Sequence, residues 1–302
     1  MTQSDQSQPL AAQAVAPASV ALDHLPKRAI GIDVGGTGIK GGIVNLHKGK
    51  LVGERFRIPT PRPATPEAVA EVISTILEEL LGREKAPDRD ELAVGVLVPG
   101  IVIDNVVLSA ANIDDSWIEC DAGELLRELP GDIFTFNDAD GAGLAEARYG
   151  AGAGRSGSVL TITLGTGIGS ALVHDGVLVP NSELGHLEFE GEVAEVVASA
   201  AARERMDMPW DEYGRLLDRY LTHVERLFSP SQFIIGGGIS KRSDDFLPQV
   251  SSPRAPVVPA QLKNNAGIVG AALYGAEQRA LAQRSDAADL DRVAAEKVAA
   301  EA

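Results

Sequence analysis

The chain is poor in cysteine, in aromatic side chains and in basic charge, and each shortage excludes something. Cys120 is the one cysteine in 302 residues. No disulfide within the chain and no cysteine-built zinc cluster can form, as suits a reducing, cytoplasmic setting. Phe, Trp and Tyr supply 4% of the residues while 44% are hydrophobic, so the cores have to be built from Val, Ile, Leu and Ala. Lys and Arg number 27 against 43 Asp and Glu, a formal net charge of −16. A surface of that sign excludes the broad basic footprint of a nucleic-acid binder. It leaves room for a polyanionic substrate wherever basic residues gather locally. No apolar run approaches the roughly 18 residues of a membrane span. The N-terminal stretch MTQSDQSQPLAAQAVAPASV has no basic segment, which argues against a secretory signal. At this length two domains are expected.

What the chain has in quantity is glycine. "IGIDVGGTGIKGGIV", Ile30 to Val44, holds six, and three phosphate-handling devices compete for it. A P-loop needs Lys and then Ser or Thr straight after the second of two glycines five apart. Gly31 and Gly36 have the spacing, but Thr37 follows. Gly36 to Gly41 satisfies G-x-G-x-x-G, yet that fingerprint must open a helix, and Gly41-Gly42-Ile43-Val44 favours a strand. The same pattern recurs at Gly152 to Gly157 with no apolar strand before it. What remains is a β-hairpin: a strand over Ala29–Val34, a tight glycine turn and a second strand. "VLTITLGTGIGSALV", from Val159, repeats the design, and its Gly-Thr-Gly-Ile matches the first residue for residue, Thr166 standing 129 positions after Thr37. A repeat on that scale marks a duplicated architecture.

Between these landmarks the pattern predicts strands over Leu51–Ile58, Leu92–Gly100, Ile101–Leu108 and Ile133–Phe136. A helix is punctuated by Thr65 as N-cap, Pro66 at its first position and Gly82 after its last turn. The second half predicts helices over Glu192–Glu204 and Trp210–Phe228, a strand in "QFIIGGGIS", and a closing helix whose Gly267 and Gly270 would let another backbone come close. Residues 1–27 read as a disordered tail, 28–139 as a small N-terminal domain and 140–265 as a larger C-terminal one. The closing helix, about 266–282, returns to the first domain, and 283–302 is a flexible or helical tail.

Glycines at the two hairpin turns bare backbone N–H groups that bind phosphate oxygens, and Thr37 and Thr166 add hydroxyl donors. The alternative is a pair of plain tight hairpins. Asp33 could hold Mg²⁺ through water, with Lys40 adding positive charge. Asn137 and Asp138 follow a strand at the edge where open α/β sheets place ligands. Helix capping explains one of them, but "NDAD" offers three candidate caps, and Asp138 is the candidate base for a hydroxyl acceptor. Glu183, His186 and Glu188 could bind sugar hydroxyls; a solvated acidic turn and a metal site are the alternatives. Lys241, Arg242 and Lys263 are either a local track for a phosphate chain or ordinary surface charge.

Together the two hairpins, "FNDAD", "ELGH" and "GGGIS" resemble the ROK (repressor, open reading frame, kinase) sugar kinases. "DVGGTGIKGGIV", "TLGTGIGSALVHDGVLVPNSELGHLEF", "LFSPSQFIIGGGISK" and "NNAGIVGAAL" are similar to the polyphosphate glucokinase branch, over about residues 28–280. The resemblance implies an α/β, two-domain, actin/hexokinase-like (ribonuclease-H-like) fold with an active-site cleft between the domains. It implies Asp138 as catalytic base, and Asn112, Asn137, Glu183, His186 and Glu188 as sugar contacts. Asp33, Gly35, Gly36, Thr37, Gly38 and Lys40 match one phosphate loop, and Gly165, Thr166, Gly167 and Gly169 the other. Gly236, Gly237 and Gly238, with Lys241 nearby, match the nucleotide-side loop. The implied reaction is phosphorylation of the glucose 6-hydroxyl, with mannose as a further acceptor, by polyphosphate or ATP with Mg²⁺. The setting is a cytoplasmic homodimer. An ATP-only hexose kinase and a non-catalytic sugar sensor are the rivals. The cysteine-rich zinc motif that many members carry after Gly-His is absent, so no structural zinc is expected, and the region before residue 28 is too short for a helix-turn-helix.

Overall fold

Two hairpins seed two sheets of the same design. The computed structural model describes residues 20–300, with side chains through residue 285. In the first half β1 (Arg28–Gly35) and β2 (Gly38–Asn45) form an antiparallel hairpin closed by Gly35 and Gly38. β3 (Lys50–Leu51) and β4 (Phe56–Ile58) both pair with β2. Helix α1 (Pro66–Leu81) follows, then β5 (Ala93–Val98), parallel to β1. A small antiparallel sheet of β6 (Val102–Ile103), β7 (Val106–Val107) and β8 (Cys120–Asp121) and a helical turn, α2 (Ala122–Leu125), lead to β9 (Asp132–Asn137), parallel to β5.

Helix α3 (Asp138–Tyr149) crosses to the second half, which opens with β10 (Ser158–Leu164), β11 (Ile168–His174) and β12 (Val177–Val179). After β13 (Glu188–Phe189) and β14 (Glu192–Val193) come α4 (Ala194–Ala198), α5 (Ala200–Arg205) and α6 (Trp210–Phe228). β15 (Gln232–Gly236), α7 (Ser243–Phe246), β16 (Val257–Pro259) and α8 (Ala266–Ala300) complete the chain. The main sheets run β3-β2-β1-β5-β9 and β12-β11-β10-β15-β16. Each has an antiparallel hairpin at one side and two successive parallel pairings at the other.

The apolar pattern explains these assignments. All six residues of β5, AVGVLV, are buried, as a central parallel strand covered on both faces requires. On α1 the residues Val69, Ile73, Ile76, Leu77 and Leu80 are buried, and the Thr65 side chain accepts from Ala68 N at 3.4 Å, a cap worth about 1 kcal/mol. On α6, Tyr213, Leu217, Tyr220, Leu221 and Val224 pack with Leu160, Ile162, Phe233 and Ile235 of the second sheet.

The two halves exchange helices. α3 lies on β10 and β11 of the second sheet, α8 lies on β1 and β5 of the first, and the two helices pack against each other. The approaches leave no room for side chains: where α3 meets α8, a Cβ on Gly270 would stand 1.7 Å from the Gly141 carbonyl oxygen, and where α8 lies on β5, one on Gly95 would stand 1.8 Å from that of Ala271.

Several expectations are corrected. Residues 1–19 of the expected tail lie outside the described residues, but Val20 and Leu25 are buried beside Ala29, Leu144 and Leu273. Arg148 Nη2 donates to the Val20 carbonyl at 3.0 Å. The helix expected over Glu192–Glu204 is broken, because Ser199 is extended and caps α5 by accepting from Ala202 N. The strand expected over Ile101–Leu108 is a hairpin turned by Asp104 and Asn105, both at positive φ. The C-terminal tail takes the helical of its two expected forms, with the closing helix running on past residue 282 to Ala300; residues 301–302 lie outside the described residues.

Candidate active site

The first turn of α3 organises the site. Asn137, the last residue of β9, caps the helix: its Oδ1 accepts from Ala139 N (2.8 Å) and Asp140 N (3.1 Å). Its Nδ2 donates to the Gly100 carbonyl at 2.9 Å. With both ends of the Asn137 amide engaged, capping makes no demand on Asp138. The Asp138 carboxyl stands where two cavities of about 400 and 550 Å³ meet, and Asp138, Ala139, Thr163 and Gly237 line both. Solvent reaches Asp138 through the cleft, but the surrounding walls desolvate it. That burial, reinforced by the charges of Asp33 and Glu183, pushes its pKa up to about 6.

The larger cavity gathers Gly100, Asn112, Asn137, Glu183 and His186 together with the second glycine turn, Gly165 to Gly169. Burial raises the Glu183 carboxyl above its ordinary range; Glu195 pushes in the same direction and His186 opposes. Glu195, on α4, is a wall residue that the sequence reading missed. Its Oε1 lies 3.8 Å from His186 Nε2, and its Oε2 accepts from Ile168 N at 3.3 Å, which fixes it beside the turn. Carboxylates and an imidazole around one cavity present acceptors and a donor in the manner that sugar hydroxyls need. Glu188 is not brought there: it is exposed on β13 and lines neither cavity.

The smaller cavity is lined by Asp33, Gly236, Gly237, Gly238 and four cations: Lys40, Arg55, Lys241 and Lys263. That is a local positive cluster in a chain of net charge −16. Lys40 pairs with Asp33 at 3.3 Å, and Arg55, also unforeseen, reaches the Asn264 carbonyl. Gly237 adopts φ 80°, and a Cβ there would meet the Leu164 carbonyl at 2.3 Å, so only glycine fits this turn. Arg242 is not part of the cluster. It bonds Asp245 and lies over the Trp210 ring, 4.8 Å from its centroid.

The glycine turns divide between these spaces. Gly36, Thr37 and Thr166 line a third recess of about 580 Å³ with Asn112 and Arg62; Asn112 and Thr166 also line the larger cavity. Arg62 and Arg57 donate to the Gly36 and Thr37 carbonyls at 2.9 and 2.8 Å, which turns two acceptors away from any incoming anion. Gly35 and Gly38 form the closing pair of the hairpin, and Arg57 covers Gly38. Among the described residues, no group of three or more His, Cys, Asp and Glu is placed to hold a metal ion, and no helix is long and apolar enough to cross a membrane.

Two sheets of one topology, exchanging helices around a cleft at their strand ends, define the actin/hexokinase-like fold of the sugar kinases. The chain belongs to the ROK family, whose sequence profile matches residues 29–196. It is 47% identical over 249 residues to the polyphosphate glucokinase of Mycobacterium tuberculosis, covering 82% of this chain and 91% of that one. The crystal structure of the inorganic polyphosphate/ATP-glucomannokinase from Arthrobacter sp. strain KM is 60% identical, with a TM-score of 0.76 over 83% of this chain and 99% of that one. The ROK family glucokinase from Streptomyces griseus, in complex with glucose and AMPPNP, is 27% identical with a TM-score of 0.66, covering 82% and 99%.

Proposed function

We propose that the protein phosphorylates the 6-hydroxyl of glucose with inorganic polyphosphate, and that ATP is a second donor. The observation that carries this reading is the position of Asp138, shared by a carboxylate-lined cavity and a cation-lined one. Asn112, Glu183, His186 and Glu195 hold the hexose hydroxyls, and the pyranose lies between Gly100 and the second glycine turn. Asp138 accepts the 6-hydroxyl proton as the oxygen attacks the terminal phosphorus, and the bond from that phosphorus to the bridging oxygen breaks, releasing polyphosphate one unit shorter, or ADP when ATP is the donor. A carboxyl with a pKa near 6 is ionised at neutral pH, yet basic enough to take a proton in the transition state. Backbone N–H groups of Gly236 to Gly238, with Lys40, Arg55, Lys241 and Lys263, all lining the smaller cavity, meet the phosphoryl oxygens.

Mg²⁺ fits this arrangement, because that ion keeps waters and takes one or two carboxylates with phosphate oxygens rather than an all-protein cage. Asp33 would hold it through water, and when bound it neutralises charge on the transferring group. The name of the Arthrobacter neighbour supports mannose as a further acceptor. A homodimer in the cytoplasm is the setting that the family resemblance implies, and the single cysteine suits that compartment.

The test is glucose 6-phosphate formation by the purified protein with long-chain polyphosphate or ATP as sole donor, each freed of the other. Turnover with polyphosphate is expected. Turnover with ATP alone would withdraw the polyphosphate donor and keep the hexose kinase. Turnover with neither, together with retained glucose binding, would make the protein a sugar sensor.

A further inference from the structure

The walls of the larger cavity come from distant parts of the chain, Pro99 to Ile101 on one side and Glu183 to His186 on the other. One residue bridges them. Asn181, two positions before Glu183 and in the left-handed region at φ 58°, pairs with Val102 as a strand partner would. Its Nδ2 donates to the Val102 carbonyl at 2.8 Å, and its Oδ1 accepts from Val102 N at 3.1 Å. Its own backbone N–H donates to Asp140 Oδ2 at 2.7 Å. Asp140 lies on α3 and is 1% exposed, and its Oδ1 is buried with no hydrogen-bond partner. A buried carboxylate oxygen left unpaired is costly and calls for a reason. Helix capping does not supply one, since Asn137 already caps α3. The contact that Asp140 does make is with the Asn181 loop.

We propose that Asn181 and Asp140 are positioning residues that tie the two walls of the acceptor cavity to each other and to the helix bearing Asp138. The first turn of α3 then holds one wall through Asn137 and Gly100, and the other through Asp140 and Asn181. The reacting hydroxyl and its base share one frame. The loop has a second anchor inside its own half: Ser170 Oγ donates to the Ser182 carbonyl and accepts from Leu184 N. Asn181 adds the link across the cleft. This inference rests on the reading of the cavity as a hexose site.

The experiment compares Asn181→Ala, Asp140→Ala and Asp140→Asn with the wild type, by amide hydrogen exchange and by kinetics. The amides of Ile101 and Leu184 bond Ser109 Oγ and Ser170 Oγ. They therefore report movement of the walls rather than the bonds deleted. In Asn181→Ala both should exchange faster. The glucose KM should rise about tenfold, since small misplacements of a bound substrate are amplified in rate and affinity, with the donor KM within about twofold of wild type. Asp140→Ala should follow it. Asp140→Asn keeps an oxygen for the Asn181 N–H and should restore both walls and the glucose KM to within about threefold.

Unchanged exchange, or loosening of one wall only, overturns the proposal, as does an equal rise in both KM values. If the wild type does not phosphorylate glucose, the proposed reaction fails, while the exchange data still decide whether the walls are tied. Asn181 is half-buried, so its variant decides the matter even if Asp140→Ala does not fold.

Discussion

Two steps back from the turn, the first hairpin pairs Asp33 with Lys40, and at the same place the second pairs Ile162 with Ser170. The sheets around them have one strand order and one pattern of parallel and antiparallel neighbours. The turns themselves have diverged: Gly35 and Gly38 close a two-residue turn, whereas Leu164 and Ile168 enclose three residues, Gly165 to Gly167. In the first half the pair supplies charge to a cavity lined by cations. In the second, Ser170 anchors the loop that carries Glu183 and His186. The backbone of a hairpin offers N–H groups whatever its side chains, so each copy keeps that service and its side chains are free to specialise. Duplication thus yields a frame with a cation-lined cavity on one side and a carboxylate-lined one on the other, the proposed donor and acceptor sides. α3 carries Asp138, the proposed base, between them.

The largest effect is expected at that seam, which belongs to neither hairpin. Asp138→Asn should lower kcat by about 10²- to 10⁴-fold, the usual contribution of a positioned base, while glucose binding by calorimetry stays within a few-fold of wild type. A variant with near wild-type kcat would take Asp138 out of its assigned role. The exchange of helices is tested next. Gly270→Ala puts a methyl into the 1.7 Å approach to the Gly141 carbonyl, and overpacking of that kind costs about 1–3 kcal/mol. The thermal midpoint should drop by several degrees. An unchanged midpoint would show that α3 and α8 have slack at their crossing, and that the halves are joined less tightly than the sheets suggest.

Much of this frame is legible in the sequence because it depends on local chemistry. Two Gly-Thr-Gly-Ile turns between apolar strands specify hairpins, and Thr65, Pro66 and Gly82 specify α1 to the residue. Asp138 is legible because a strand must end and a helix begin there, with more caps on offer than one helix start needs. Glu195 is not legible as a wall residue: it reads as one acid in a helical stretch, and what places it at the cavity is a tertiary contact, the bond from Ile168 N of β11 to its carboxylate. Arg55, Arg57 and Arg62 follow the first hairpin at distances set by loops of no fixed pattern. Arg242 follows Gly236 to Gly238 in the chain as Lys241 does, yet Asp245 and Trp210 draw it away. In both directions tertiary partners decide, and a single sequence does not display them.

The division between donor and acceptor sides should appear as a crossed pair of defects. Lys40→Ala should raise the donor KM about tenfold and leave the glucose KM near its starting value, as loss of one charge-assisted contact would. Glu195→Gln should do the reverse. If either variant moves both constants equally, the two hairpins do not serve separate substrates, and the contrast between them is one of sequence alone.

The smallest effect tests whether the first hairpin also tunes the base on the seam. Burial is the main cause that lifts the Asp138 pKa to about 6, and the neighbouring Asp33 carboxylate is the next, because a second negative charge nearby disfavours ionisation. A base must be ionised to accept a proton, so kcat/KM should climb with pH through about 6 and level off above it. Asp33→Asn removes the negative neighbour and leaves burial in place. The Asp138 carboxyl should then titrate at lower pH, read from its ¹³C resonance in the unliganded protein, and the acid limb of kcat/KM should move the same way. A titration that stays where it was would mean that the 3.3 Å pairing with Lys40 already cancels the Asp33 charge at Asp138. The first hairpin would then act on the phosphoryl donor alone.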